Sequence, residues 1–432
     1  MVGSILRGHS VLLSLFCTDY RIGADMETSL RSTGAVLLTK KGISSNMKKI
    51  VSLLLVLVMV VSLGAFSAAA EGTVKVGLIT LHDENSTYDN NFIVATQEAC
   101  AKMGAELVIK TGVSEGEDCY EVACDLADDG CDIVFADSFG HEDYMIRAAK
   151  EYPEVQFLHA TGYQAQIVNL DNFHDAFASI YEGRYLAGVA AGLKLQEMID
   201  NGVLTDANYD ENGNVKVGYV GAYTYAEVIS GYTSWFLGVR SVVPNTSMKV
   251  TFTGSWYDET AEKEGANTLI ADGAALLSQH ADSMGAPTAC ETAGVPDVTY
   301  NVPTGDACPN TYVIYSRINW APYVEYAIQC VTDGTAIDTD WVGTFATDSV
   351  QVGSIGAAAA AGTEEALEEV KAKLLSGELH VFDCSTFTVN GETLTAETNE
   401  HVVDGYFAES TTQSAPYFDL QIDGISLLNT VF

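Results

Sequence analysis

Short apolar runs alternate with longer amphipathic stretches from about residue 75 onwards. The run Lys75–Thr80 (KVGLIT) predicts a buried strand, and Tyr88–Met103, followed by Gly104, predicts a helix with a glycine at its end. The same alternation predicts strands at 105–110, 132–136 and 155–160 and helices at 118–129 and 141–151. Continuous apolar strands separated by helices are typical of a parallel sheet covered on both faces.

The pattern begins again in the second half of the chain. A helix is predicted over residues 177–195, a polar insertion covers 201–214, and Lys216–Gly221 (KVGYVG) then resembles KVGLIT. Strands and helices alternate to about residue 301, and mixed segments follow to Phe432. The chain therefore predicts two doubly wound α/β lobes. Ligands bind at the carboxyl ends of such strands, and two lobes joined by crossovers can close around them.

One apolar run near the N-terminus does not belong to this alternation. Residues 47–70 combine Lys48 and Lys49, an apolar stretch and a small-residue end at Ala68-Ala69-Ala70, which together predict a cleavable signal peptide. The stretch is shorter than the roughly 20 residues of a membrane-spanning helix, which disfavours an anchor. Residues 1–46 show no periodicity. We interpret Met47 as the true start, with a genuine N-terminal extension as the alternative.

Charge and composition reduce the number of functional classes that fit the part of the chain predicted to be exported. The chain has 58 Asp and Glu against 21 Lys and Arg, a formal net charge of −37. Such a surface disfavours nucleic acid and anionic lipid as partners. Because 47% of residues are hydrophobic, a folded core is nevertheless expected. An exported, acidic, two-lobed α/β protein is best interpreted as a solute-binding protein.

Eight of the nine cysteines lie beyond the predicted signal peptide. An even number in an exported chain permits disulfides, and proximity in sequence favours Cys119–Cys124 and Cys290–Cys308. Buried free thiols are the alternative. No CxxC pair accompanies these cysteines, so we expect no metal and no cofactor.

Four motifs occur in order at predicted strand ends or in the linking helix. They are DSFG (137–140) with KEYPEVQFLHATGY (150–163), IYEGRYLAGVAAG (180–192), GSWYDE (254–259) and SQHADS (278–283). Together, over about residues 73–385, they resemble the basic membrane protein (BMP) family of substrate-binding proteins. Members of that family serve ABC transporters, and several bind purine nucleosides.

The resemblance implies a type I periplasmic-binding-protein fold, in which two lobes are joined by three crossovers. Residues 73–176 plus about 310–345 would form lobe 1, and residues 177–309 plus about 346–432 would form lobe 2. Family members hold a nucleobase between two aromatic rings, one from each lobe. The matching positions here are Tyr88, at the start of the first helix, and Trp256, in GSWYDE.

Polar residues at the strand ends complete the predicted site. Asn301 stands where family members usually have an Asp that holds ribose. The other candidates follow the first and third strands of lobe 1 and one strand of lobe 2: His82, Asp83, Asp137, Ser138, Gln279 and Asp282. His280, His159 and Thr161 share this kind of position.

The predicted function is capture of a purine nucleoside or related small molecule for an ABC importer permease, by a monomer that meets the membrane only through the permease. A ligand-presenting extracytoplasmic sensor with the same fold is an alternative. A nucleoside-processing enzyme is disfavoured because the sequence lacks GxSxG, HExxH and P-loop motifs. The BMP proteins of Gram-positive bacteria are usually lipoproteins, but no Cys lies between Cys17 and Cys100. We therefore expect cleavage near Ala70 without an acyl anchor.

Overall fold

The computed structural model describes residues 72–432, and the predicted signal peptide and N-terminal extension lie outside the described residues. The first strand begins at Lys75 and the first helix ends at Met103, as the sequence predicts. Gly104 then adopts a left-handed conformation with φ 72°, which closes the helix. The strands are, in chain order, β1 (Lys75–Ile79), β2 (Glu106–Lys110), β3 (Ile133–Ala136), β4 (Gln156–Ala160), β5 (Phe173–Ala178), β6 (Val215–Gly221), β7 (Thr246–Phe252), β8 (Leu277–Gln279), β9 (Asp297–Tyr300), β10 (Tyr312–Ile318), β11 (Asp340–Gly343), β12 (Val350–Gly353), β13 (Val402–Val403), β14 (Tyr406–Phe407) and β15 (Ile425–Leu427).

Helices connect most of these strands and cover the sheets. They are α1 (Thr87–Met103), α2 (Glu117–Asp128), α3 (Glu142–Glu151), α4 (Ala165–Val168), α5 (Ile180–Asp200), α6 (Ala226–Val242), α7 (Glu259–Ala271), α8 (Gly285–Ala293), α9 (Ala321–Asp333) and α10 (Thr363–Ser376). No helix within residues 72–432 combines the length and the apolar character required to cross a membrane.

The strands form two main sheets, one in each lobe. The first sheet has the order β11-β5-β4-β3-β1-β2, and all its strands are parallel. The second has the order β12-β10-β9-β8-β6-β7-β15, in which β12 alone runs antiparallel to its neighbour. Central strands of both sheets are fully buried, for example β3 and β9. This burial explains the unbroken apolar sequence of β3 (IVFA), whereas β9 (DVTY) begins with the buried Asp297.

The chain passes between the lobes three times. It leaves the first sheet after Ala178, returns between Ile318 and Ala321, and leaves again between Gly343 and Val350. The sequence-based lobe boundary at residue 310 is wrong for one strand. Residues 312–318 were expected in lobe 1, but they form β10 of the second sheet, where they pair with β9.

Lobe 2 contains an unusually close pair of helices, α5 and α6. A side chain added at Gly188 would lie 2.0 Å from the carbonyl oxygen of Trp235, and one added at Gly238 would lie 2.2 Å from that of Tyr185. Only glycine permits such an approach of two backbones. The small residues of the IYEGRYLAGVAAG motif therefore fix α5, which follows the first crossover, against α6.

The cysteine pairings considered from the sequence do not form. All eight cysteines of the described part of the chain are free thiols, and all except Cys124 are buried. Cys119 and Cys290 lie in the apolar interiors of lobe 1 and lobe 2, respectively. The structure thus favours the alternative of buried thiols.

Candidate ligand-binding site

A cavity of about 680 Å³ lies between the two lobes, where the strand ends of both sheets meet. This volume is within the usual range for sites that enclose a small molecule. Residues of lobe 1, lobe 2 and the C-terminal segment line it: Leu81, His82, Tyr88, Asp89, Ser138, Phe139, Thr161, Tyr163, Thr224, Tyr225, Ala226, Glu227, Ile229, Tyr232, Trp256, His280, Asp282, Gln413, Ala415, Pro416, Asp419, Gln421, Leu427, Thr430 and Phe432.

Asp137 organises the lobe-1 side from beneath the cavity surface. It directly follows β3 and is fully buried. Its Oδ1 accepts the backbone N–H of Leu81 (3.2 Å), and its carbonyl oxygen accepts the hydroxyl of Tyr88 (2.8 Å). Burial, with the nearby charge of Asp89, raises the pKa of Asp137 well above its usual range. Asp137 therefore holds the Tyr88 ring through its carbonyl oxygen, and its burial favours the protonated form of its carboxyl group.

Asp89 and His82 form a second polar group on the same side. Asp89 Oδ1 accepts the backbone N–H of His82 (2.7 Å), and the His82 Nδ1 lies 3.3 Å from Asp89 Oδ2. Burial acts to raise the pKa of Asp89, but hydrogen bonds from His82 and Ser86 outweigh it and the pKa is lowered. Asp89 thus places a charged hydrogen-bond acceptor in the cavity wall. Its side chain is almost fully shielded from bulk solvent, with 1% of the residue exposed.

A buried relay supports the lobe-2 side. Arg184 of α5 donates to the carbonyl oxygen of Gln279 (3.0 Å) and to Nδ1 of His280 (3.0 Å), and its guanidinium lies 3.4 Å from the Tyr300 ring centroid. Arginine has no acceptor, so His280 Nδ1 must accept. The proton of His280 is then on Nε2, which donates to both carboxylate oxygens of Glu227 at 2.8 Å. This relay fixes the Glu227 carboxylate at the cavity wall.

Aromatic rings form a row across the mouth between the lobes. Phe139 of lobe 1 lies 5.5 Å from Tyr225 of lobe 2, measured between ring centroids. Tyr225 stacks on Tyr223 at 5.1 Å, and Tyr223 meets Trp256 edge-on at 5.1 Å. Trp256 is half-buried and Tyr88 faces the same cavity from lobe 1. The two lobes are therefore in contact, with an aromatic side chain from each at the cavity.

Behind the cavity, Glu142, His159 and Asp175 are the described residues whose possible metal-ligating atoms come within 4.8 Å of one another. Three backbone N–H groups of the Thr161–Ala165 loop donate to this cluster: Glu142 accepts those of residues 163 and 164, and Asp175 Oδ2 accepts that of residue 165, at 2.7–2.8 Å. A side-chain atom added at Gly162 would lie 2.0 Å from Asp175 Oδ1. The cluster thus positions a cavity loop.

The structure brings five of the nine sequence-predicted residues to the cavity: His82, Tyr88, Ser138, Trp256 and Asp282. The other four lie elsewhere. Asp83 is exposed and accepts hydrogen bonds from the backbone and side chain of Asn85, and Asp137 lies beneath the surface as described. Gln279 and Asn301 are buried at the ends of β8 and β9 outside the cavity lining. Ligand contact remains a prediction for all nine residues.

Sequence reasoning missed two groups of cavity residues. The first is the start of α6 with Tyr225 and Glu227. This segment follows β6, so it could have been found by treating the residues after the predicted strand KVGYVG as candidates, since ligands bind at the carboxyl ends of strands. The second is the C-terminal segment from Gln413 onwards. Its irregular structure gives no hydrophobic periodicity, so no sequence signal indicated its place.

Two lobes of mostly parallel sheet, three crossovers and a cavity at facing strand ends define the type I periplasmic-binding fold. Residues 79–358 match the Bmp family model, described as ABC transporter substrate-binding protein PnrA-like. The chain belongs to this family, which confirms the family predicted from the motifs. Substrate-binding proteins of ABC transporters are extracytoplasmic, bind a small molecule and work with a transporter permease.

Two similar proteins bind different ligands according to their names. A purine-binding protein of Brucella abortus is 30% identical over 325 residues, which are 73% of this chain and 85% of the relative. A putative ABC transporter glucose-binding protein of Haloferax volcanii is 28% identical over 279 residues, 64% of this chain and 66% of the relative.

Solved structures confirm the predicted fold. A solute-binding protein of an ABC transporter system from Conexibacter woesei superposes with a TM-score of 0.57 at 22% identity, covering 71% of this chain and 98% of that one. One from Aeropyrum pernix has a TM-score of 0.59 at 15% identity, covering 72% and 93%.

Proposed function

We propose that this protein captures a purine nucleoside, or a related neutral molecule, in the interlobe cavity and delivers it to an ABC importer permease. The observation that carries the proposal is the presence of Tyr88 and Trp256, one from each lobe, at one cavity. Aromatic rings attract a flat base in offset stacking, and alanine substitution of such a ring costs about 1–3 kcal/mol per stacked base. The purine-binding name of the Brucella relative supports the same ligand class.

The charges around the cavity favour a ligand that donates hydrogen bonds and has no negative charge. Asp89, Glu227, Asp282 and Asp419 supply carboxyl groups, while the described lining contains neither Lys nor Arg. Ribose hydroxyls and exocyclic amines are suitable donors for these groups. A phosphate would meet these acidic groups without a Lys or Arg to balance its charge, so nucleotides are disfavoured.

The test is calorimetric titration of the purified protein with adenosine, guanosine, inosine, hypoxanthine, AMP and glucose. We expect heat with at least one nucleoside or base and none with AMP. Binding of glucose without any purine would contradict the ligand part of the proposal and favour a sugar, as the name of the Haloferax relative suggests. Loss of nucleoside import in a strain that lacks this protein would separate transport from sensing.

We also propose that residues 47–70 direct export and are removed near Ala70. N-terminal sequencing of the protein recovered from outside the cytoplasm tests this. A sequence that begins at about Glu71 is expected, and one that begins within residues 1–46 would contradict it.

A further inference from the structure

The C-terminal segment begins well beyond the family match, which ends at residue 358, and it is firmly joined to lobe 2. Strand β15 pairs in parallel with the edge strand β7. The Asn429 side chain accepts the N–H of Phe252 at 2.8 Å and donates to its carbonyl oxygen at 2.7 Å. Thr224 and Val431 exchange two more hydrogen bonds, of 2.7 and 2.9 Å. Residues 424–431 therefore move with lobe 2.

A few residues earlier, the same segment is joined to lobe 1. Asp340, the first residue of β11, accepts the backbone N–H of Ser414 through Oδ2 at 2.8 Å. The Gln166 side chain of α4 donates to the same oxygen (2.8 Å) and to the carbonyl oxygen of Thr412 (3.1 Å). Two of these hydrogen bonds, to Ser414 and to Thr412, form the lobe-1 anchor of the segment, and the third joins Gln166 to Asp340 within lobe 1.

Residues 413–421, which we name the C-terminal strap, span the distance between the two anchors. Phe418 stacks on Phe382 with ring centroids 4.3 Å apart, and its N–H donates to Glu409 at 2.9 Å. Tyr232 of α6 donates its hydroxyl to Gln421 at 3.2 Å. The strap is therefore packed in place, and five of its residues line the cavity: Gln413, Ala415, Pro416, Asp419 and Gln421.

We propose that the C-terminal strap is a clasp that stabilises the closed form of the cavity and slows the release of ligand. This inference rests on the proposed function for its ligand readout. The strap connects the lobes in addition to the three crossovers, but its two anchors differ in strength. A strand pairing and four further hydrogen bonds hold it to lobe 2, whereas two hydrogen bonds hold it to lobe 1.

Opening of the lobes would therefore detach the strap at the lobe-1 anchor. A contact made only in the closed state shifts the closed–open equilibrium by its whole free energy. With a net contribution of about 1 kcal/mol per hydrogen bond, loss of the anchor is expected to shift this equilibrium about fivefold or more. Because the strap also forms one wall of the cavity, its release would uncover the ligand.

The variants Gln166→Ala and Asp340→Ala test the clasp. Gln166 is exposed and does not line the cavity, so the first variant is expected to fold even if the second does not. The matched control is Gln196→Ala, which removes a half-buried glutamine of α5 whose side chain bonds to Asp200. Hydrogen exchange of the ligand-free proteins measures the anchor directly. We expect the Ser414 amide to exchange faster in both anchor variants and at the wild-type rate in the control; an unchanged rate would overturn the proposal.

The dissociation rate of guanosine, measured by stopped flow, tests the consequence for ligand. We expect it to rise about fivefold in the anchor variants and to stay unchanged in the control. Faster Ser414 exchange with an unchanged dissociation rate would overturn the clasp while leaving the proposed function intact. If the wild type binds no nucleoside, the proposed function fails. Small-angle scattering of the ligand-free proteins then decides the clasp: a larger radius of gyration in the anchor variants supports it, and an unchanged radius overturns it.

Discussion

Thr87 and Asp282 lie on opposite lobes, and the backbone N–H of Thr87 donates a hydrogen bond of 2.9 Å to the carbonyl oxygen of Asp282. Thr87 is the first residue of α1, where N–H groups have no partner within the helix. The N–H of Asp282 in turn donates to the carbonyl oxygen of Trp256 at 3.0 Å. Two peptide contacts thus connect the loop of Trp256 to the helix that carries Tyr88, so that lobe closure brings both rings to one cavity.

The stacking role of Trp256 predicts a graded response to substitution. Trp256→Ala should weaken nucleoside binding by about 1–3 kcal/mol, roughly 5- to 150-fold in Kd, because one face of the base loses its ring. Trp256→Phe should retain most of the affinity. Calorimetry measures both. The control is Trp341→Ala, which removes a tryptophan that packs on Tyr323 outside the cavity. Equal affinities of the Ala variant and wild type would rule out stacking.

Removal of Arg184 should destabilise the protein strongly. The guanidinium is 1% exposed and supports both His280 and the carbonyl of Gln279. Arg184→Met would leave the carbonyl oxygen of Gln279 and Nδ1 of His280 without their buried donor, at an expected loss of about 1–3 kcal/mol in the free energy of unfolding for each unpaired group. Urea titration measures this loss. Arg147→Met is the matched control: it breaks an exposed pair with Glu117 and should leave the urea midpoint unchanged. Similar effects of the two substitutions would contradict the relay.

The raised pKa of Asp297 predicts a loss of stability as the pH rises from about 4 to about 8. Burial raises its pKa from 3.8 to about 8, so the folded protein holds this proton more tightly than the unfolded chain. Its stabilising effect is complete below pH 3.8 and is lost as the pH rises through about 8, at roughly 1.4 kcal/mol per pH unit between these values.

The variant Asp297→Asn cannot titrate and should lack this pH-dependent component. The difference between the unfolding free energies of variant and wild type, measured from pH 4 to pH 9, should therefore shift in favour of the variant as the pH rises. The exposed Asp306→Asn serves as control. A difference that does not change with pH would show that Asp297 is charged throughout.

The free thiols predict a simple labelling pattern. In the unfolded protein, eight thiols per chain should react with a chromogenic disulfide reagent without prior reduction, provided that the chain starts at a residue after Cys17. In the folded protein only Cys124, which is half-buried, should react quickly, since the other seven are buried. A count of six or fewer in the unfolded protein would indicate a disulfide.

The strand and helix pattern was predictable because it depends on local sequence. Lys75–Thr80 and Tyr88–Met103 were predicted within one residue of β1 and α1, since apolar runs and a terminal glycine mark both elements. The sheet to which a strand belongs was harder to predict from the sequence. Tyr312–Ile318 has the composition of any buried strand, and only long-range pairing with β9 assigns it to lobe 2.

Site residues were predictable only where they come shortly after a strand of the core, because ligands bind at the carboxyl ends of such strands. Trp256, Ser138 and Asp282 each come shortly after a strand, so the fold itself places them at the cavity. Asn301 also follows a strand, but a left-handed backbone with φ 69° at this residue turns the chain and its side chain is buried outside the cavity lining. The strap residues follow no strand of the core, and their place depends on contacts with Asp340 and Phe382 far away in sequence.

The buried acid groups of the cavity also determine what a calorimeter would record. Burial, with the neighbouring charges of Asp89 and Glu262, raises the pKa of the cavity residue Asp282 well above its usual range. A ligand whose hydroxyl hydrogens bond to such a carboxyl group stabilises its ionised form, and the displaced proton passes to the solution. The measured enthalpy would then include the heat of buffer protonation. Titrations in phosphate and in Tris would differ in enthalpy by an amount that counts the protons released with each ligand bound.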